Sequence, residues 1–132
     1  MPPAYHTKLY KNINQISPAN LVSGYTQTIG NGIYGYTLVN TSAGNISNVN
    51  ISITSTWPNG SIWLYNFDKS GNMSPKYDTL ATPTTITYNY TPFPTASSTL
   101  NIIPPGGYFV IDVSLLSANS TVTFTINSIT FS

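Results

Sequence analysis

The chain has 132 residues, enough for one domain with a substantial core. Only 5% of them are charged, four lysines and three aspartates with no arginine and no glutamate, where an ordinary soluble domain carries about 25%. That poverty excludes a basic stripe for nucleic acid and a polybasic membrane patch, and the lack of cysteine excludes disulfides and thiolate metal sites.

The surface must be hydroxyl and amide instead, drawn from 16 serines, 19 threonines and 15 asparagines. Apolar runs such as Tyr108-Phe109-Val110-Ile111 are too short to cross a bilayer. A hydrophobic content of 40% with 13% aromatics argues against disorder. Residues 1–20 show no apolar leader pattern. The expectation is a leader removed before this numbering or an exit without one, as for a protein leaving the cell in a virion.

In chain order, the first expected element is an extended N-terminal arm over residues 1–20, with a strand at 5–11 and prolines at Pro2, Pro3 and Pro18. A single sandwich domain is expected over 21–132. Strands at 21–29 and 33–39 flank the turn formers Gly30-Asn31-Gly32. A strand at 46–56 places Val49, Ile51 and Ile53 on one face, with Asn50, Ser52 and Thr54 on the other. Pro58-Asn59-Gly60 turns the chain into a strand at 61–67, and Asp68-Lys69-Ser70-Gly71-Asn72 reads as a solvated hairpin turn. Further strands are expected at 84–90, where Ile86, Tyr88 and Tyr90 alternate, and at 98–103. Pro104-Pro105-Gly106-Gly107 then leads into 107–116, and the last strand covers 120–131. In that strand Val122, Phe124 and Ile126 share a face until the phase slips at Asn127-Ser128, where Ile129 and Phe131 resume it, which predicts a β-bulge. Helix formers are scarce and β-branched and aromatic residues dominate. The predicted fold is all-β, a two-sheet antiparallel sandwich, immunoglobulin-like or jelly-roll-like, without substantial helix.

Two stretches carry a resemblance. The run from Tyr36 to Ile53, through Asn40 and Gly44, resembles a strand, an Asn-and-Gly turn and a second strand of immunoglobulin-like domains in prokaryotic and archaeal surface proteins. The run from Leu100 to Val113, through Pro105 and Gly106, is similar to a later step of the same domains. The overall character also resembles small capsid and tail proteins of archaeal viruses, including spindle-shaped ones. These resemblances imply a sandwich and a structural setting; a sandwich hosts many functions.

Candidate chemistry is sparse. Seven sequons occur, at Asn40, Asn45, Asn50, Asn59, Asn72, Asn89 and Asn119, where composition alone yields about four by chance. Asn72 and Asn89 are the weaker acceptors because Pro75 and Pro92 follow closely. The single histidine, His6, lies in the arm, far in sequence from every aspartate, so a Ser-His-Asp set is not expected. Asp68–Asn72 offers one carboxylate where calcium loops use several, so no metal and no cofactor are expected. Trp57 and Trp63 are candidates for stacking on a glycan or anchoring an interface. Tyr5, Leu9 and Tyr10 are candidates for docking the arm onto a neighbouring subunit by strand addition. With so few titrating groups, the melting temperature is expected to change little between pH 7 and pH 3.

The functional expectation is a non-enzymatic structural protein exposed in the capsid or tail of an archaeal virus, forming a homo-oligomer and meeting other virion or surface structural proteins. It is placed at the virion surface or outside the cell, with no nucleic acid and no direct membrane insertion. The rivals are an archaeal filament or surface-layer subunit, and a carbohydrate-binding or adhesion module meeting host-surface glycans.

Overall fold

In the computed structural model the described residues are 14–15, 18–30, 32–56, 60–81, 84–115 and 119–132, with backbone alone at 14–15, 60, 77–81, 84 and 115. They form ten strands: β1 (Asn14–Gln15), β2 (Ala19–Asn20), β3 (Thr26–Ile29), β4 (Gly32–Val39), β5 (Ile46–Ser55), β6 (Gly60–Phe67), β7 (Tyr77–Ala81), β8 (Thr84–Tyr90), β9 (Tyr108–Leu115) and β10 (Val122–Phe131). One sheet has the order β4-β9-β6-β7, with β1 and β2 lying parallel along the outer edge of β4. The other has the order β3-β10-β5-β8.

Among the eight longer strands, β3 pairs β10, β4 pairs β9, β5 pairs β8 and β6 pairs β7, all antiparallel. The chain is thus one long hairpin wound on itself, the jelly-roll order. Of the two sandwich arrangements expected, this is the one observed. In the immunoglobulin order the first two strands share a sheet; here β3 and β4 lie in different sheets.

Alternation builds the interior. Phe109, Ile111 and Val113 of β9 point inward with Ile62 and Leu64 of β6, and meet Val49, Ile51 and Ile53 of β5 and Phe124 and Ile126 of β10. Tyr36 meets Phe124 edge-on at 5.1 Å between centroids, and Tyr90 tilts against Phe109 at 4.9 Å, geometries that suit the ring quadrupoles. A second, smaller cluster of Tyr65, Phe67 and Val110 sits on the opposite face of the first sheet, under Met73 of the β6–β7 loop. Residues of β9 are therefore buried on both faces, which explains its near-continuous apolar run.

The outer face of the second sheet is the opposite case. Hydroxyls pair across strands at Thr28–Thr123 (2.8 Å), Thr26–Thr125 (2.9 Å), Thr54–Thr85 (2.9 Å) and Ser52–Thr87 (3.1 Å). Asn127 donates to Asn50 Oδ1 (2.8 Å) and to Ser52 Oγ (2.7 Å), and Asn50 donates to Asn89 Oδ1 (2.7 Å). An uncharged lattice of this kind is where the excess of Thr, Ser and Asn goes.

Several expected elements shift. The strand read at 21–29 begins only at Thr26, after a turn at Ser23-Gly24. No strand forms over 98–103: Ile103 makes a single bridge to Ile46, and Leu100 is 60% exposed. Strand β7 was not anticipated. Residues 14–15 and 19–20, assigned by sequence to an arm, pair with β4 inside the sandwich; the strand expected at 5–11 lies outside the described residues. The predicted bulge is present, with Ile126 opposite Ile51 and Ser128 opposite Asn50.

Candidate functional site

An exposed apolar groove lies where β10 outlives its partner. Strand β3 pairs only with Val122–Thr125, while β5 continues along β10 to Phe131. Beyond the bulge, Ser128–Phe131 therefore have a strand neighbour on one side only among the described residues. Along the open side runs a groove of 290 Å³ lined by Leu21, Val22, Ser23, Ile129 and Phe131, with Thr41 and Ser42 at one end. Val22 is 47% exposed and Phe131 51%, two of the three large hydrophobic side chains exposed among the described residues. The Phe131 ring rests on Gly44, where an added Cβ would meet Cδ1 at 3.2 Å. An apolar groove beside an unpaired strand edge suits an extended segment, which gains main-chain bonds and side-chain burial together.

No protein-family model matches the chain, and neither does any curated protein. Among solved structures it is similar to an arabinose-bound α-L-arabinofuranosidase, at 15% identity and TM-score 0.43, over 83% of this chain and 18% of that one. It is also similar to the structure of infectious bursal disease virus, Gx strain, at 12% identity and TM-score 0.40, over 80% of this chain and 30% of that one. The chain thus spans less than a third of either. Neither likeness bears on activity.

A polar cluster lies on the outer face of the first sheet. Asp112 stands across from Trp63 on β6 and Gly35 on β4, and is 1% exposed. Tyr65 donates its hydroxyl to Asp112 Oδ2 at 2.7 Å, while Oδ1 has no hydrogen-bond partner among the described residues. Burial pushes the Asp112 carboxyl up to about 6, against the opposing pull of the Tyr65 bond and the Lys76 charge. Lys76 Nζ sits 5.1 Å from the Tyr65 ring centre and 5.8 Å from that of Trp63, and burial lowers its own pKa. Asp112 therefore takes up its proton at a higher pH than an ordinary carboxyl does. Among the described residues no three of His, Cys, Asp and Glu gather as a metal site.

Asp68 is buried too, which corrects the solvated turn expected there. Its Oδ1 accepts from the Ser70 and Asn72 amides at 2.9 and 3.0 Å, and its Oδ2 accepts from Thr95 Oγ1 at 2.6 Å. Burial raises its pKa, but the bonds from Thr95, Asn72 and Ser97 outweigh that and hold it down at about 2. The carboxylate is saturated by its own loop and by the 91–98 segment.

The sequons separate by environment. Asn40 is 1% exposed: its Nδ2 donates to the carbonyls of Gly44 and Ile103, both at 2.9 Å, and its Oδ1 accepts from Ser42. A glycan on Nδ2 would disturb both of these bonds. Asn72 Nδ2 is engaged by Asp68 and Ser97, and Asn50 Nδ2 by Asn89. Asn45 is half-buried, whereas Asn89 and Asn119 are exposed, Asn119 at φ 62 in the turn before β10. Trp63 has Lys76 above its ring, which occupies the face a sugar would need. Tyr5, Leu9, Tyr10, Trp57 and Asn59 lie outside the described residues.

Sequence reasoning missed the buried, hydrogen-bonding roles of Asp112, Asp68, Asn40 and Asn66. Asp112 carries a readable signal, a lone acid inside the run Tyr108–Val113. The two amides carry none among 15 asparagines.

Proposed function

We propose that this protein is a non-catalytic structural module, exposed on a virion or a comparable extracellular assembly, that associates with copies of itself. The observation that carries the reading is the exposed groove of Val22, Ile129 and Phe131 along the unpaired edge of β10. The jelly roll, recurrent in capsid and lectin domains, and a surface with almost no charge to repel its own kind add support. The occupant offered is an extended segment of a neighbouring copy, residues 2–13, whose Tyr5, Leu9 and Tyr10 supply apolar side chains. Contacts of that kind are head-to-tail and build rings or filaments.

Sedimentation of the full chain over a range of concentrations tests this. The wild type is expected to associate, and Val22→Ser with Phe131→Ser to give monomers of unchanged melting temperature. Deleting residues 2–13 is expected to do the same. A wild type that stays monomeric at every concentration refutes the reading. Association that survives the groove substitutions refutes the groove, and association that survives the deletion refutes the arm as its occupant.

A further inference from the structure

A second cavity lies at the far side of the sandwich, where β8 forms the free edge of its sheet. It measures 280 Å³ and opens between β6 and the segment after β8. Leu64 is fully buried at its base, and the half-buried rings of Tyr88 and Phe93 contribute its walls. Asn89, Thr91 and Asn101 are exposed at its rim. Among the described residues no charged side chain lines it.

Its walls are fixed in advance by one buried amide. Asn66 of β6 is fully buried; its Oδ1 accepts from the Phe93 amide at 3.0 Å and from the Tyr90 hydroxyl at 2.6 Å, and its Nδ2 donates to the Phe93 carbonyl at 3.1 Å. Tyr90 and Phe93 then meet edge-on at 6.0 Å. Asn101 braces the same segment by donating Nδ2 to the Pro92 carbonyl at 3.0 Å, and Asn89 Oδ1 is held by Asn50. The Asn89 amide belongs to the outer-face lattice with Asn50, which leaves Asn101 Oδ1 as an acceptor and the Thr91 hydroxyl as donor or acceptor at the rim. A ligand matching this set is uncharged, has an apolar C–H face for the rings, and presents several hydroxyls that both donate and accept. The volume sits just under the roughly 300–1,000 Å³ of common ligand sites, room for one ring. A pre-formed wall reduces the ordering cost of binding.

We propose that this pocket binds a single neutral sugar ring. The site is independent of the β10 groove, so it stands or falls separately from the assembly reading. A free monosaccharide and the terminal ring of a glycan share this chemistry.

The test uses the full chain, isotope-labelled, titrated with the methyl glycosides of glucose, galactose, mannose, xylose, arabinose and N-acetylglucosamine while amide resonances are followed. At least one is expected to give saturable shifts centred on Thr91, Phe93 and Asn101. Thr91→Val, a near-isosteric change at an exposed position, and Phe93→Leu are each expected to weaken it at least tenfold. Glucuronate is expected to bind at least tenfold more weakly, since no cation among the described residues lines the pocket. Binding of the glycoside and of a disaccharide ending in the same ring assigns a glycan terminus; binding of the free sugar but not of that disaccharide assigns a monosaccharide. The proposal is overturned if no sugar gives a saturable shift, if the shifts map elsewhere, or if the folded Thr91→Val protein binds as well as the wild type.

Discussion

The side chain of Asn40 ties together two loops that backbone pairing joins only through the Ile46–Ile103 bridge and the end of the β4–β9 ladder. It bonds the carbonyl of Gly44 in its own turn and that of Ile103 across the gap, while its backbone accepts from Gly106 and donates to Gly107. The second loop is itself a tight turn, closed from Gly107 N to Pro104 O at 2.8 Å, with Pro105 in the corner followed by Gly106 at φ 80. That is the type II pattern, which calls for glycine at its third position. Asn40→Ala removes both side-chain bonds, while Gly44 O keeps the Ser42 hydroxyl at 3.2 Å and Ile103 O keeps the Ile46 amide at 3.0 Å, so the cost is that of two lost hydrogen bonds at about 1 kcal/mol each. We expect Asn40→Ala to lower unfolding stability by about 2 kcal/mol in urea denaturation, and a loss below a few tenths would show that the two loops do not depend on this amide. By the same burial, peptide mass spectrometry of native material should find Asn40 without glycan, with any N-linked sugar among the described sequons at exposed Asn89 or Asn119.

At the scale of elements, the bulge in β10 makes an unusual forecast possible. Asn127 is the extra residue: Ile126 and Ile129 both lie on the core side, and two exposed residues separate them instead of one. Removing Asn127 restores strict alternation from Val122 to Thr130 with those pairings to β5 retained, at the cost of its two bonds to Asn50 and Ser52. Removing Thr125 instead pushes Ile126 toward the solvent face unless the bulge migrates. The Asn127 deletion should therefore stay folded with a loss of about 2 kcal/mol, whereas the Thr125 deletion should lose several times more; similar losses for both would disprove this account of the bulge.

The bulge was legible because a phase slip is visible wherever one face is apolar. Strands β5, β8 and β10 were legible for the same reason, whereas β4, β6 and β9, buried over consecutive residues, were legible as runs bounded by turn residues. Strand β7 was not: Tyr77–Ala81 pairs with β6 alone at a sheet edge, so nothing forces it to alternate. The reverse error at 98–103 has a matching cause, since Leu100, Ile102 and Ile103 look strand-like while only Ile103 is buried. The groove and the sugar pocket were illegible, because each is built from segments distant in sequence that only the winding of the jelly roll brings together.

For the whole molecule, low charge does not mean flat stability against pH, because two of the three aspartates are buried. They act in opposite directions. Asp112 has a folded pKa of about 6, above its ordinary 3.8, so the folded state binds the extra proton. Its contribution is complete below the ordinary value and is lost as pH rises toward 6. Asp68 has a folded pKa of about 2, so its contribution is complete above 3.8 and is lost as pH falls toward 2. The two together place a stability maximum near pH 4 rather than the flat profile that composition implies. A shift of about two units at Asp112 corresponds to about 3 kcal/mol between pH 7 and pH 4, or roughly 10 °C in melting temperature for a domain of this size. Thermal unfolding should accordingly show a rise on acidification from pH 7 to 4, then a decline toward pH 2. Asp112→Asn should abolish the rise and melt above the wild type at pH 7, because no buried carboxylate remains to be charged. Asp68→Asn should leave the rise intact and remove most of the decline. A wild type that melts at the same temperature at pH 7 and pH 4 would mean that Asp112 is not held in a desolvated site.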